Sequence, residues 1–117
     1  MIDVEDVILQ RIDQLEDDDP ELETDYELIA PLNYGVITVL TEEGMIGAEF
    51  VESDLSWSRD GAVDEYNEVA QDGMYVVVIV PNDAYFDMMG RVTRRGKGHI
   101  EVYSYESLGI LSTPMTG

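Results

Sequence analysis

The residues of this chain with the clearest chemical potential are cations gathered in one short segment. Arg91, Arg94, Arg95 and Lys97 supply four of the 6 lysines and arginines, and His99 lies beside them. Cations at the end of a helix favour the helix dipole, and that structural role is one explanation of the cluster. The other explanation is a binding patch for an anion or a partner protein.

Other residue types limit the catalytic mechanisms open to the chain. There is no cysteine, which excludes disulfides, thiolate metal sites and cysteine nucleophiles. The single histidine, His99, has no nucleophile and acid arranged around it, so it is expected on the surface at the start of a strand. The segment Gly96-Lys97-Gly98 lacks the frame of a P-loop and is interpreted as a turn.

The most unusual global feature is charge, with 26 acidic residues against 6 basic ones and a formal net charge of −20. Three interpretations are open: a halophilic-type surface in a high-salt cytoplasm, an acidic protein from an ordinary organism, or a mimic of DNA. The single lysine fits the first. The acidic N-terminus and the short apolar runs predict a cytoplasmic protein without a membrane span.

The elements that must position these residues form a single domain over residues 1–117. A helix is predicted over residues 3–18, followed by an acidic connector over 17–27, and the tail at 112–117 is expected to be frayed. The apolar stripe of the helix is formed by Val4, Val7, Ile8, Arg11, Ile12 and Leu15.

Four strands and two helices are predicted for the rest of the chain. They are a hairpin at 34–40 and 45–51, a helix at 60–71, a central strand at 74–80, a helix at 83–95 and a strand at 99–103. The order α-β-β-α-β-α-β predicts an α/β fold with a mixed sheet of four to five strands and helices on both faces. The last two strands should be parallel, because a helix joins them.

Two local patterns add a family resemblance. One is GAEFVESD, at residues 47–54, and the other is VVVIVPNDAYFDMM followed by HIEVYSYESLGI. With the element order, they resemble the PD-(D/E)XK, or restriction-endonuclease-like, family, and look most like its small archaeal members. The resemblance covers residues 3 to about 108 and implies a restriction-endonuclease-like sheet.

The resemblance also implies a metal site, and this chain retains only part of it. Active members hold Mg²⁺ with two carboxylates on adjacent strands, and a lysine on the same strand face activates water. Glu49 matches the second carboxylate, Val51 occupies the lysine position, and residues 33–36 contain no acid to serve as the first. Glu52 should point to the opposite face, and Asp54 lies beyond the strand end.

The sequence therefore predicts a non-catalytic, nuclease-fold-derived binding or assembly module that acts through protein contacts, including self-association. No cofactor is expected, and Mg²⁺ at Glu49 belongs only to a nuclease interpretation. Two alternatives are kept: an acidic DNA mimic that inhibits a DNA-binding enzyme, and a weak residual Mg²⁺-dependent nuclease. The charge of −20 disfavours nucleic acid as a partner, because phosphate contacts supply most non-specific affinity.

Overall fold

A mixed sheet of five strands forms the middle layer of the fold, in the spatial order β1-β2-β3-β4-β5. The structure is a computed structural model, and it describes residues 1–112. The elements are α1 (Val4–Asp18), β1 (Glu23–Ile29), β2 (Tyr34–Thr41), β3 (Gly44–Val51), α2 (Ala62–Gln71), β4 (Tyr75–Val80), α3 (Tyr85–Arg95) and β5 (Ile100–Ser104). Strands β1 to β3 are antiparallel, whereas β3, β4 and β5 are parallel to one another.

Each face of the sheet has its own apolar core. Helix α1 covers one face, where its residues Val7 and Ile8 pack with Ile37 of β2 and Ile79 of β4. Helices α2 and α3 cover the other face. The core there is formed by Ala48, Phe50, Ala62, Val63, Tyr66, Val76, Val78, Val80, Ala84, Met88 and Val102. Strand β4 is buried on both faces, as its continuous apolar run predicts.

The predicted acidic connector at 17–27 is wrong in its second half, which belongs to strand β1. This strand pairs with β2 along its whole length, from Glu23 opposite Leu40 to Ile29 opposite Tyr34. Its acids occupy alternate positions and point away from α1, so the strand's alternation was present in the sequence but obscured by charge. The observed order is therefore α-β-β-β-α-β-α-β.

The other predicted elements are confirmed, with small differences at their ends. The single α/β domain, the hairpin of β2 and β3, and the parallel pair of β4 and β5 all occur as expected. Of the predicted tail, residues 113–117 lie outside the described residues. Within residues 1–112, no helix is long and apolar enough to cross a membrane.

Candidate functional site

Two glutamates at the end of β3 are the most unusual residues of the interior. Glu49 is 1% exposed and Glu52 is 0% exposed. A buried carboxylate is costly unless charged or hydrogen-bonding groups surround it, so each must have partners. The two side chains leave the sheet on opposite faces, as expected for Glu52, and each is the centre of a separate network.

The Glu49 network joins Glu49 to Arg11 and Tyr75 on the α1 face. Arg11 donates from Nε to Glu49 Oε1 at 2.6 Å and from its terminal nitrogen to Oε2 at 3.2 Å. The Tyr75 hydroxyl lies 3.3 Å from Oε2. Both carboxylate oxygens are therefore occupied by donors, in the two-pronged geometry that arginine forms with carboxylates.

The Glu52 network lies beyond the end of β3, on the face that α2 covers. Glu52 accepts hydrogen bonds from Ser56 Oγ at 2.7 Å, from the Tyr66 hydroxyl and from Arg59. The backbone carbonyl of Glu52 also accepts from the Tyr105 hydroxyl. This network fills the carboxyl end of the parallel strands, where open α/β sheets ordinarily bind ligands.

Arg59 links the Glu52 network to the surface. Its guanidinium also donates to Glu65 Oε2 at 2.7 and 2.9 Å. Its guanidinium carbon lies 3.7 Å from the centre of the Tyr34 ring, a cation–π contact. The arginine is thus held on three sides, which fixes the loop between β3 and α2.

Burial shifts the titration of these groups. Desolvation raises the pKa of Glu52 despite the opposing effects of Arg59 and the hydroxyl donors. Desolvation, reinforced by the neighbouring Glu52 charge, raises the pKa of Tyr66 well above its ordinary value. Burial and the adjacent Glu49 likewise raise the pKa of Tyr75. The tyrosines therefore stay protonated and serve as donors to the carboxylates.

The remaining residues of the predicted metal site do not converge around Glu49. Val51 is fully buried in the core beneath α1, and Asp54 lies exposed in the loop after β3. Among residues 1–112, no three Asp, Glu, His or Cys side chains are grouped so that they could hold a metal ion. The arrangement can hold the fold together, and it leaves Glu49 no free oxygen for a cation.

The residues of the predicted cationic patch do not form one surface. Arg91 and Arg95 line a cleft of about 180 Å³ at the start of α2. Arg91 also stacks over Trp57, with its guanidinium carbon 5.2 Å from the ring. Arg94 is not among the cleft's lining residues, and Lys97 and His99 lie exposed in the loop that follows α3.

An anion in this cleft would meet opposing charges. Asp60 and Asp64 line the same walls as the arginines, and Arg59 is already engaged by Glu52 and Glu65. His99 lies outside the cleft, 3.6 Å from Glu101. The structure therefore brings together only two of the five residues predicted for the patch.

Sequence reasoning missed Arg11 and Arg59 as the partners of the two buried glutamates. A signal existed for Arg11, because it falls within the apolar stripe of α1, between Ile8 and Leu15. A cation on the buried face of a helix requires a buried partner, and Glu49 on the apolar strand β3 is such a partner.

No known family model, curated protein or solved structure matches this chain.

Proposed function

We propose that the protein is a non-catalytic, nuclease-fold-derived module for binding or assembly, which acts through protein contacts. The observation that carries the proposal is the state of Glu49, whose two oxygens are both bound by Arg11. A catalytic metal needs free carboxylate oxygens and room for water. Glu49 offers neither, since it is 1% exposed beneath α1.

The position that would activate water supports the same proposal. Val51 is 0% exposed and aliphatic, so it can neither orient nor deprotonate a water molecule. Arginine in place of a metal ion neutralises Glu49 without any reactive group. The carboxylate that the family uses for catalysis is, in this proposal, a structural element of the interior.

A cleavage assay tests the proposal. Purified protein is incubated with Mg²⁺ or Mn²⁺ and with single- and double-stranded DNA and RNA, and no cleavage above buffer is expected. Glu49→Gln removes the candidate ligand, and Glu43→Gln changes an exposed glutamate in the β2–β3 turn as a matched control. Cleavage that is lost in Glu49→Gln and kept in Glu43→Gln would replace this proposal with a residual nuclease.

A second candidate, a DNA mimic, is favoured by one surface feature. Glu23, Asp25 and Glu27 are exposed at alternate positions of the edge strand β1, so they form a row on one face of the sheet. Alternate residues of a strand are separated by about 6.8 Å. Such a row presents evenly spaced negative charge, which a DNA-binding protein could accept in place of phosphates.

Competition with DNA separates this candidate from the first. A DNA mimic requires a captured protein that free DNA displaces, and whose capture weakens when Glu23, Asp25 and Glu27 are replaced by Gln, Asn and Gln. Replacing Asp17, Asp18 and Asp19 by Asn removes three exposed charges elsewhere and serves as the control. Capture that is insensitive to DNA, or equally weakened by both triple variants, rejects the mimic.

A further inference from the structure

The outward face of α3 exposes an aromatic side chain that the fold does not use. Phe86 is 86% exposed, and its only aromatic contact among the described residues is the edge of the Tyr85 ring, at 5.4 Å between centroids. Met89, one turn away, is 37% exposed. Phenylalanine and methionine are enriched at protein interfaces, together with arginine.

The periodicity of α3 aligns this aromatic residue with a glycine and an arginine. Phe86, Gly90 and Arg94 are four residues apart and therefore lie in one row along the helix. Met88, which is fully buried, marks the opposite side of the helix. Asp87 precedes Gly90 by three residues and so flanks the same row.

Gly90 leaves a space on this face of the helix, and within the described residues only the end of the Arg94 side chain lies over it. Gly90 lies inside a helix, where glycine is less stable than alanine by about 1 kcal/mol. A Cβ atom at this position would meet only the end of the Arg94 side chain, at 3.0 Å from its nearest nitrogen. At the centre of an outward face, however, a glycine allows a second helix to approach closely.

The charges along this row are self-complementary. Asp87 lies in the first half of α3 and Arg94 in its last turn. A second α3 that runs antiparallel and crosses at Gly90 brings Asp87 of each copy opposite Arg94 of the other. Within residues 1–112, Arg94 has no ion-pair partner of its own.

We propose that two copies of this chain associate through the outward faces of α3, as an antiparallel, two-fold symmetric pair. Phe86 of each copy packs on the outward face of the other helix, near its last turn, and Asp87 pairs with Arg94. The inference rests on the proposed assembly function and names the partner, a second copy. Since α3 has 11 residues and is about 16 Å long, the contact is small and the dimer is weak.

Sedimentation equilibrium of the full chain tests the pairing, in about 0.5 M NaCl so that the net charge is screened beyond a few ångströms. The wild type is expected to dimerise as its concentration rises. Asp87→Arg and Arg94→Asp each place like charges together twice, so each should raise the dissociation constant at least tenfold. An equimolar mixture of the two variants restores both opposite-charge contacts and should dimerise again.

Phe86→Ser should also weaken the dimer, whereas Leu111→Ser, which removes another exposed apolar side chain, should not. A thermal unfolding curve for each variant verifies that the fold is intact. A monomeric wild type at every concentration, or a mixture that stays monomeric while the wild type dimerises, overturns the pairing. Neither result affects the non-catalytic proposal, which is overturned only by metal-dependent cleavage.

Discussion

Glu49 and Glu52 each place a carboxylate where water does not reach, and arginine and hydroxyl donors offset the free energy of that burial. All buried polar side-chain atoms among the described residues have a hydrogen-bond partner. Exchanging both partners of a buried ion pair for apolar residues changes stability little. The loss of a single partner destabilises the fold strongly, because it leaves an isolated buried charge. The two arginines should therefore matter far more for stability than their number suggests.

Arg11→Met is expected to lower the free energy of unfolding by about 3–5 kcal/mol, because Glu49 then remains buried without its cation. The double variant Arg11→Met, Glu49→Met fills a similar volume without charge and should regain most of that loss. Urea unfolding measures both. Arg94→Met, at an exposed arginine, is the control; at low protein concentration, where the monomer dominates, it should change the free energy by less than about 0.5 kcal/mol. A loss from Arg11→Met no larger than the control's would contradict the structural role of Arg11.

Two buried tyrosines make stability depend on alkaline pH. Burial, with the neighbouring Glu52, raises the pKa of both Tyr66 and Tyr105 in the folded protein. The unfolded chain therefore loses these protons at a lower pH than the folded one. Above about pH 10 the free energy of unfolding should fall by up to about 1.4 kcal/mol per pH unit for each tyrosine. Urea unfolding between about pH 9 and 11.5 measures how steeply the free energy of unfolding falls with pH. The fall should be shallower in Tyr105→Phe than in the wild type, and an equal fall would show that Tyr105 does not contribute to it.

At the scale of elements, the close packing of α1 on the sheet depends on a glycine in β2. A Cβ atom added at Gly35 would lie 2.4 Å from Ile8 Cδ1 and 3.0 Å from the carbonyl oxygen of Glu27. The helix or the strand would have to move to accept a methyl group there. The approach of α1 in turn brings Arg11 to Glu49, so this glycine supports the buried ion pair.

Gly35→Ala is expected to lower the free energy of unfolding by about 1–3 kcal/mol, the usual cost of overpacking a core. Gly90→Ala is the matched control. It adds the same methyl group to a half-buried helix position, where the Cβ atom would meet only the end of the Arg94 side chain, and should raise the free energy by up to about 1 kcal/mol. Both are measured by urea unfolding at low protein concentration, where the monomer dominates. If both variants changed the free energy of unfolding equally, the contact with Ile8 would not be the cause of the loss.

Local patterns in the sequence predicted most of these elements. The three-and-four spacing of Val4, Val7 and Ile8 indicated α1, and the continuous apolar run of β4 indicated a covered strand. Strand β1 was missed because its charged side chains resemble those of a solvated loop. The ion pair of Arg11 with Glu49 joins residues 38 apart in sequence. The place of Arg11 in the apolar stripe of α1 indicates that it has a buried partner, but no local pattern identifies Glu49 as that partner.

At the scale of the whole molecule, charge is distributed very unevenly. Of the 6 lysines and arginines, Arg11 and Arg59 form ion pairs with the two buried glutamates. The other four all lie within residues 91–97, in α3 and the loop after it. The protein is therefore an acidic body with cations confined to one region. Contacts that bring this region against an acidic surface are electrostatically favoured.

The same imbalance predicts that salt stabilises the fold. Twenty-six acidic residues on 117 repel one another more strongly in the folded state than in the expanded chain. The free energy of unfolding should rise with NaCl, most steeply between about 0.01 and 0.15 M, where the Debye length falls from about 30 to 8 Å. Urea, which is uncharged, is the denaturant suited to this measurement.

A variant with less charge on β1 shows whether the rise in stability with salt comes from repulsion between surface acids. Replacing Glu23, Asp25 and Glu27 by Gln, Asn and Gln removes three adjacent negative charges from the exposed side of β1. It should raise stability in dilute buffer and flatten the dependence on salt, because less repulsion is left to screen. A wild type whose stability is the same in dilute buffer and in 1 M salt would rule out a halophilic-type surface. The acidic residues would then belong either to an acidic protein from an ordinary organism or to a recognition surface, and the carboxylate row on β1 would be the first surface to test for a partner.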